Sequence, residues 1–378
     1  MQYAKYLLLV FAIPLCNRVM ATHLVGGELY YTCLGNNNYE ITLIIYRDCN
    51  GLVTTDFDNP AYVSIFEGGQ LAYTRMIPFA ERKKLPLIPP NNCTQLPPFV
   101  CTERGVYKDT VYLPPSTWGY SIAHQRCCRN GSIANLMNPG DQGNTYLATI
   151  PANDTVCNSS PSFNEDPPVV LCLNYPVTLN LAATDPDGDS ISYTLCDPLN
   201  GASKTDPRPT IASLPPYQPV NFSAAYSGSY PIASNPAFTI NSQTGELSGR
   251  PTQVGQFVFA ICVQEWRDGQ LIGVSTRDFQ FNISDQCVGA AAVIVDQIID
   301  SSSLCTGKAI TFNQTSVNAN TFYWDFGDPT TSADTSHSSQ PSYTYADTGI
   351  YNVMLIVNPD NCPDTTFAPF RVFDPVTI

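Results

Sequence analysis

The stretch Ala183-Thr184-Asp185-Pro186-Asp187-Gly188-Asp189-Ser190 sets three carboxylates at i, i+2 and i+4 between two runs that read as β-strands. Three like charges on one turn repel unless water or a cation screens them. Hard divalent cations prefer oxygen donors of this kind, so calcium is the natural candidate. The turn is not an EF-hand, in which glycine holds the sixth position and a bidentate Glu the twelfth. Here Gly188 falls between the second and third Asp, and Cys196 takes the twelfth place. A calcium site at Asp185, Asp187 and Asp189 therefore needs oxygens from elsewhere, either backbone carbonyls or the Asn164-Glu165-Asp166 linker. The competing reading is a Pro-Asp-Gly turn whose acids are simply solvated. If an ion binds, its role is to stiffen a junction between modules, not to catalyse.

Other catalytic patterns are weak. Asp325 and Asp328 have the residue types of a glycosidase acid pair, but they sit where a strand ends, which favours a structural turn. The three histidines, His23, His124 and His337, carry no HExxH or paired cysteine, and no GxSxG turn or P-loop occurs. The chain is expected not to be an enzyme. Its net charge of −14 argues against phosphate contacts, so no nucleic-acid partner is expected.

These residues must be carried by β-structure. Charged residues are only 13% of the chain, prolines number 32 and aromatics reach 11%, a mix rich in strand and turn formers. The 378 residues allow about two to four domains. Lys5, the apolar run Tyr6 to Leu15 and Val19-Met20-Ala21 read as a secretory signal over residues 1–21, with a lipoprotein signal at Cys16 as the weaker rival. No later segment is long and apolar enough for a transmembrane helix. Fourteen cysteines in an exported chain point to disulfides; thirteen follow Cys16 being set aside, an odd number. On a strand, Cys127 and Cys128 face opposite ways, so each is expected to have its own partner.

Three modules are expected. The first spans 22–158, with a hairpin of Glu28–Cys33 and Tyr39–Arg47 and further strands at 62–67, 106–113, 120–126 and 145–150. Ile41, Leu43 and Ile45 alternate with Ile44 and Tyr46, so that strand is expected to be covered on both faces. The second spans 159–287 and contains an irregular insertion, Asn200–Pro236, expected to be either a binding surface or a plain surface loop. Its Tyr217, Tyr226 and Tyr230 have the rings to stack on sugars or grip a protein. The third spans 288–378, and Tyr351, Val353, Leu355 and Val357 alternate as one buried strand face should.

Two of these modules resemble known families. Asp185-Pro186-Asp187-Gly188-Asp189, Phe238-Thr239-Ile240-Asn241, Thr244–Gly249 and Pro251–Gly255 resemble bacterial cadherin-like, immunoglobulin-type sandwich modules, and that resemblance strengthens the calcium reading. Phe322-Tyr323-Trp324-Asp325-Phe326-Gly327-Asp328 with Gly349-Ile350-Tyr351-Asn352-Val353 resembles the PKD domain, which implies a β-sandwich with Trp324 in its core. Cys305 and Cys362 are the only cysteines of that module and are expected to pair. His23–Leu29, Tyr46–Gly51, Gln125–Asn130 and Arg277–Phe281 resemble segments of large Bacteroidota surface proteins of the gliding-motility-associated kind. That resemblance implies a C-terminal sorting domain and outer-membrane association; none is visible after Phe373, so the chain is expected to be either truncated, with that region missing, or tethered another way.

The combined expectation is an all-β chain of tandem immunoglobulin-like sandwiches with disulfides, secreted or at the cell surface. It is expected to serve adhesion, matrix or motility-associated scaffolding through contacts with surface proteins or polysaccharides. The alternative is the accessory region of an extracellular polysaccharide- or protein-degrading enzyme.

Overall fold

A computed structural model describes residues 24–50, 56–90, 94–152, 157–287, 289–298, 308–360 and 362–374. The expected signal segment, His23 and Cys305 lie outside the described residues, so the Cys305–Cys362 pairing does too. Cys362 itself is disulfide-bonded.

The first hairpin joins β1 (Leu24–Gly35) to β2 (Asn38–Asp48) through Asn36 and Asn37. Both asparagines take positive φ, 51° and 61°, the left-handed values that a tight hairpin turn requires. Next come β3 (Ala61–Glu67), β4 (Gln70–Ile77), β5 (Phe79–Lys84), β6 (Thr102–Tyr112), β7 (Tyr120–Arg126) and β8 (Asn144–Ile150). Strands β4, β3, β7 and β8 form a four-stranded sheet in that order. It covers one face of β1 and β2, where Ile41, Leu43, Ile45, Val63, Ile65 and Ile122 share a core. Ile44 and Tyr46, on the other face of β2, join a separate core with Phe257, Phe259, Phe279 and Phe281. The two-sided burial expected of β2 is thus met by two different cores.

That second core belongs to a sheet that runs across the expected 158/159 boundary. Its order is Ser190–Cys196, Gly255–Arg267, Gln270–Ser284, β1, β2, β6 and β5, with Val170–Cys172 added in parallel to Gln270–Ser284. The seam is the antiparallel pairing of Gly26, Gly27 and Glu28 with Phe279, Asp278 and Arg277. Glycine is needed there for lack of space: a Cβ on Gly26 would lie 2.1 Å from the Asp278 carbonyl oxygen. One on Gly27 would lie 2.6 Å from the Ile44 carbonyl oxygen and 2.7 Å from the Tyr146 ring.

The insertion 200–236 is stitched down at several points. Ala212 N–H donates to Ser64 Oγ at 2.8 Å, Cys127 N–H to the Pro207 carbonyl at 3.0 Å, and Gln125 Nε2 to Ser213 Oγ at 2.9 Å. Val220 and Phe222 pack on Ile133, Leu136 and Val258. Tyr217 packs beside Phe66 and Ala212, and Tyr226 packs against Phe257, so these two rings serve packing rather than an open stacking face.

Disulfides join Cys33 to Cys157, Cys49 to Cys101, Cys172 to Cys287, and Cys196 to Cys262. Cys127 and Cys128 correct an expectation, because they bond to each other. They lie just beyond Arg126, where β7 has ended, so the alternation of strand side chains does not apply to them.

In the third module Thr335–Ser336, Phe322–Asp325, Gly349–Val357 and Asp364–Val372 form a four-stranded sheet. Trp324 is fully buried and donates its indole N–H to the Ser338 carbonyl at 3.0 Å. It stands beside Leu355 on the neighbouring strand, and Val353, Leu355 and Val357 are all buried. The chain is all-β, built of disulfide-containing sandwich layers. Among the described residues no helix is long and apolar enough to cross a membrane, which says nothing about a β-barrel.

Candidate metal centre

The acidic turn is shaped by its own first carboxylate. Asp185 Oδ1 accepts the backbone N–H groups of Asp187 at 3.0 Å and Asp189 at 2.9 Å, while Gly188 takes φ of 83°. This fold-back brings one carboxylate oxygen from each of Asp185, Asp187 and Asp189 within 4.8 Å of one another. The other oxygen, Asp185 Oδ2, is buried and accepts no hydrogen bond. Burial, with the charges of Asp189 and Asp187, holds the Asp185 carboxyl above its usual range.

Strand Gly255–Arg267 brings two further residues to the turn. Glu265 is fully buried and has a side-chain hydrogen bond to Asn158. Burial pushes it up to about 8 against that hydrogen bond, and the neighbouring Asp185 and Asp189 charges add to the rise. Arg267 Nε donates to Asp189 Oδ1 at 2.9 Å, and Arg267 also contacts Asn158 Oδ1. One guanidinium thus answers Asp189, while Asp185 Oδ2 is left without a hydrogen-bond partner. Leaving a buried polar oxygen unpaired costs about 1–3 kcal/mol.

The turn also ties the sequence-distant segments together. Asp187 Oδ2 accepts the Ser159 N–H at 2.5 Å, and Ser159 Oγ accepts the Cys33 N–H of β1 at 3.1 Å. Asn158 Nδ2 donates to the Tyr31 hydroxyl of β1 at 3.1 Å. In the 164–166 segment, Asn164 Oδ1 accepts the Thr184 hydroxyl, the Glu165 carbonyl accepts Arg277, and Asp166 pairs with Lys83 and Arg104. Glu265 and Asn158 are not legible as neighbours of the turn in the sequence, because they stand 76 and 31 residues from Asp189.

A second cluster sits at the seam. Adjacent Arg277 and Asp278 point to opposite faces of their strand, as the period of two requires. Arg277 meets Glu28 at 2.9 Å on one face, where the Tyr46 hydroxyl also donates to Glu28 at 3.1 Å. Asp278 meets Arg129 on the other face, at 2.5 and 3.0 Å, and Arg129 further donates to the carbonyls of Gly143 and Leu199. Three of the motifs picked out in the sequence thus converge on two buried ion pairs that close the seam.

The remaining candidates have structural roles. Asp325 Oδ1 accepts the Gly327 N–H, and Asp328 accepts from Thr330 and the Tyr343 hydroxyl, which shapes a strand-end turn. His124 is buried against the Tyr62 carbonyl, and burial holds its imidazole below the usual range. His337 bonds the Phe322 carbonyl, within the third module.

The alternation around Trp324 and the sheet it sits in decide what the third module is like. Residues 290–371 match the PKD domain family. No curated protein matches the sequence. Among solved structures, dimeric latent PorU from Porphyromonas gingivalis is 11% identical with a TM-score of 0.24, over 93% of this chain and 34% of that one. The four N-terminal Ig domains of a Dscam1 isoform give 10% identity and 0.16, over 87% and 78%. Extracellular cadherin domains 1–4 of protocadherin gamma B7 give 14% and 0.20, over 89% and 83%. Likenesses this faint carry nothing about function.

Proposed function

We propose that the chain is a non-catalytic, secreted or cell-surface scaffold for adhesion, matrix or motility-associated assembly, stiffened by calcium at its acidic turn. Asp185, Asp187, Asp189, Glu265 and the Asn158 side-chain oxygen would hold the ion, a donor set of the hard oxygen type calcium prefers. The observation that carries this reading is the buried Asp185 Oδ2, which accepts no hydrogen bond, in a turn whose three carboxylates each bring an oxygen within 4.8 Å of the others. The ion would draw strand Gly255–Arg267, the turn and the Asn158–Ser159 segment on β1 into one rigid unit. A stiff unit presents its outer surfaces at fixed spacing, which favours multivalent contact.

Thermal melts with calcium and with EGTA test it. Calcium at a hundred times its Kd should stabilise the wild type by about 2.7 kcal/mol. Asp187→Ala and Glu265→Gln should lose that gain. Glu265→Gln should leave the melt in EGTA near the wild-type value, because the amide keeps the side-chain shape and an oxygen for the hydrogen bond with Asn158. A melting point that ignores calcium in all three proteins would remove calcium from the proposal.

A further inference from the structure

A cavity of about 300 Å³ opens between the end of β2, the chain entering β6, and the strands Gly255–Arg267 and Gln270–Ser284. The period of two builds its floor. Phe257, Phe259, Phe279 and Phe281 turn to one face of their strands and fill the core, so Gln256, Gln280 and Asn282 turn to the other and line the cavity. The amide nitrogens of this floor are engaged. Gln256 Nε2 and Gln280 Nε2 both donate to Asn282 Oδ1, at 3.0 and 3.2 Å, and Asn282 Nδ2 donates to the Val169 carbonyl at 2.9 Å. Gln256 Oε1 accepts Asn130 Nδ2 at 2.9 Å. The group left over is Gln280 Oε1, an acceptor without a partner on a residue only 1% exposed. Asp48 and Asp285 stand at the rim, and among the described residues neither carboxylate enters an ion pair. Phe99 and Val254 add exposed apolar walls, and among the described residues no lysine, arginine or histidine lines the cavity.

We propose that this cavity receives the lysine or arginine side chain of a partner polypeptide. An ammonium or guanidinium head only donates, and the cavity offers it an unpaired amide oxygen at the floor and two unpaired carboxylates at the rim. An anion meets no cation there. A sugar hydroxyl accepts as well as donates, whereas the floor amide nitrogens already donate within the protein. The carbon stem of a basic side chain can lie along Phe99 and Val254 while its head reaches the acceptors. A bare divalent cation would leave most of the space empty, since even a water takes only about 30 Å³. Among the described residues, the three acids gathered closely enough for such an ion are Asp185, Asp187 and Asp189, none of which lines this cavity. The net charge of −14 also favours a basic partner.

This inference rests on the adhesive reading above and names the chemistry of one contact. The test is saturation-transfer NMR titration of the full chain, in EGTA, with acetylated and amidated glycine pentapeptides. Their central residue is lysine, arginine, norleucine or glutamate. The lysine or the arginine peptide should bind, more weakly as salt rises, and the norleucine and glutamate peptides should not. Asp285→Asn should weaken binding about twofold to fivefold, as loss of an exposed ion pair does. Gln280→Met should weaken it at least about tenfold, because a hydrogen bond to the charged head is lost. Asp285 is exposed, so Asp285→Asn keeps the fold and the test stands even where Gln280→Met fails to fold. Asp187→Ala should bind as the wild type does. Binding of neither basic peptide, equal binding of the norleucine peptide, or affinity unchanged in both Asp285→Asn and a folded Gln280→Met would each overturn the proposal. None of these outcomes would alter the calcium-dependent melt, so the two readings fail separately.

Discussion

Arg129→Ala is expected to lower stability by about 3–5 kcal/mol, the usual cost of leaving one member of a buried ion pair alone. Arg129 and Asp278 side chains are each 2% exposed, so water cannot replace the lost partner. The guanidinium also donates to the carbonyls of Gly143 and Leu199; the truncation would strand the first, while the second keeps the Thr145 N–H at 3.1 Å. Arg129→Lys should recover little, because one ammonium cannot reproduce a two-pronged contact with Asp278 and two carbonyl bonds. The pair Arg129→Met with Asp278→Leu should fall closer to wild type than either single change, since no buried charge is then unpaired. Denaturant midpoints for the four proteins measure this directly. Equal losses for Arg129→Ala and for the apolar pair would show that packing, not the uncompensated charge, sets the cost.

Removing the Cys172–Cys287 disulfide is expected to cost about 4 kcal/mol. The bond closes a loop of 115 residues, and in the chain-entropy account long loops confer most stability. It also joins the short strand Val170–Cys172 to the chain just before the PKD match, where Cys172, Cys287, Tyr175 and Ala291 pack together. The double change Cys172→Ala with Cys287→Ala should therefore lower the main unfolding transition. The environment of Trp324, which lies in its own core with Phe312 and Phe326, should report a PKD transition that moves little. A main transition that stays in place would mean that the 115-residue loop is already ordered without the bond.

Much of the strand pattern was legible because a period of two leaves a direct mark. Ile41, Leu43 and Ile45 against Ile44 and Tyr46 announced a strand buried on both faces, and Trp324 with the 351–357 alternation announced the third module. The seam was less legible. Gly26, Gly27 and Glu28 pair with residues about 250 positions away, and nothing local in either segment states that distance. Adjacent Cys127 and Cys128 misled because a strand rule was applied one residue past the strand's end. The candidate metal centre was half visible. The spacing of Asp185, Asp187 and Asp189 marked it, while Glu265 looked like any acid in a strand until its full burial near Asp185 and Asp189 distinguished it. The insertion tyrosines had the rings to stack on sugars or grip a protein, but packing claims Tyr217 and Tyr226.

The most direct test of the central claim is calorimetric titration of calcium into the EGTA-stripped, dialysed full chain. Binding in the range of about 10⁻⁴–10⁻³ M, typical of extracellular modules, is expected. It should be abolished by Asp185→Asn and by Glu265→Gln, and kept in Asp325→Asn, whose carboxylate belongs to the PKD turn. No binding by the wild type, or binding that survives Glu265→Gln unchanged, would contradict the account.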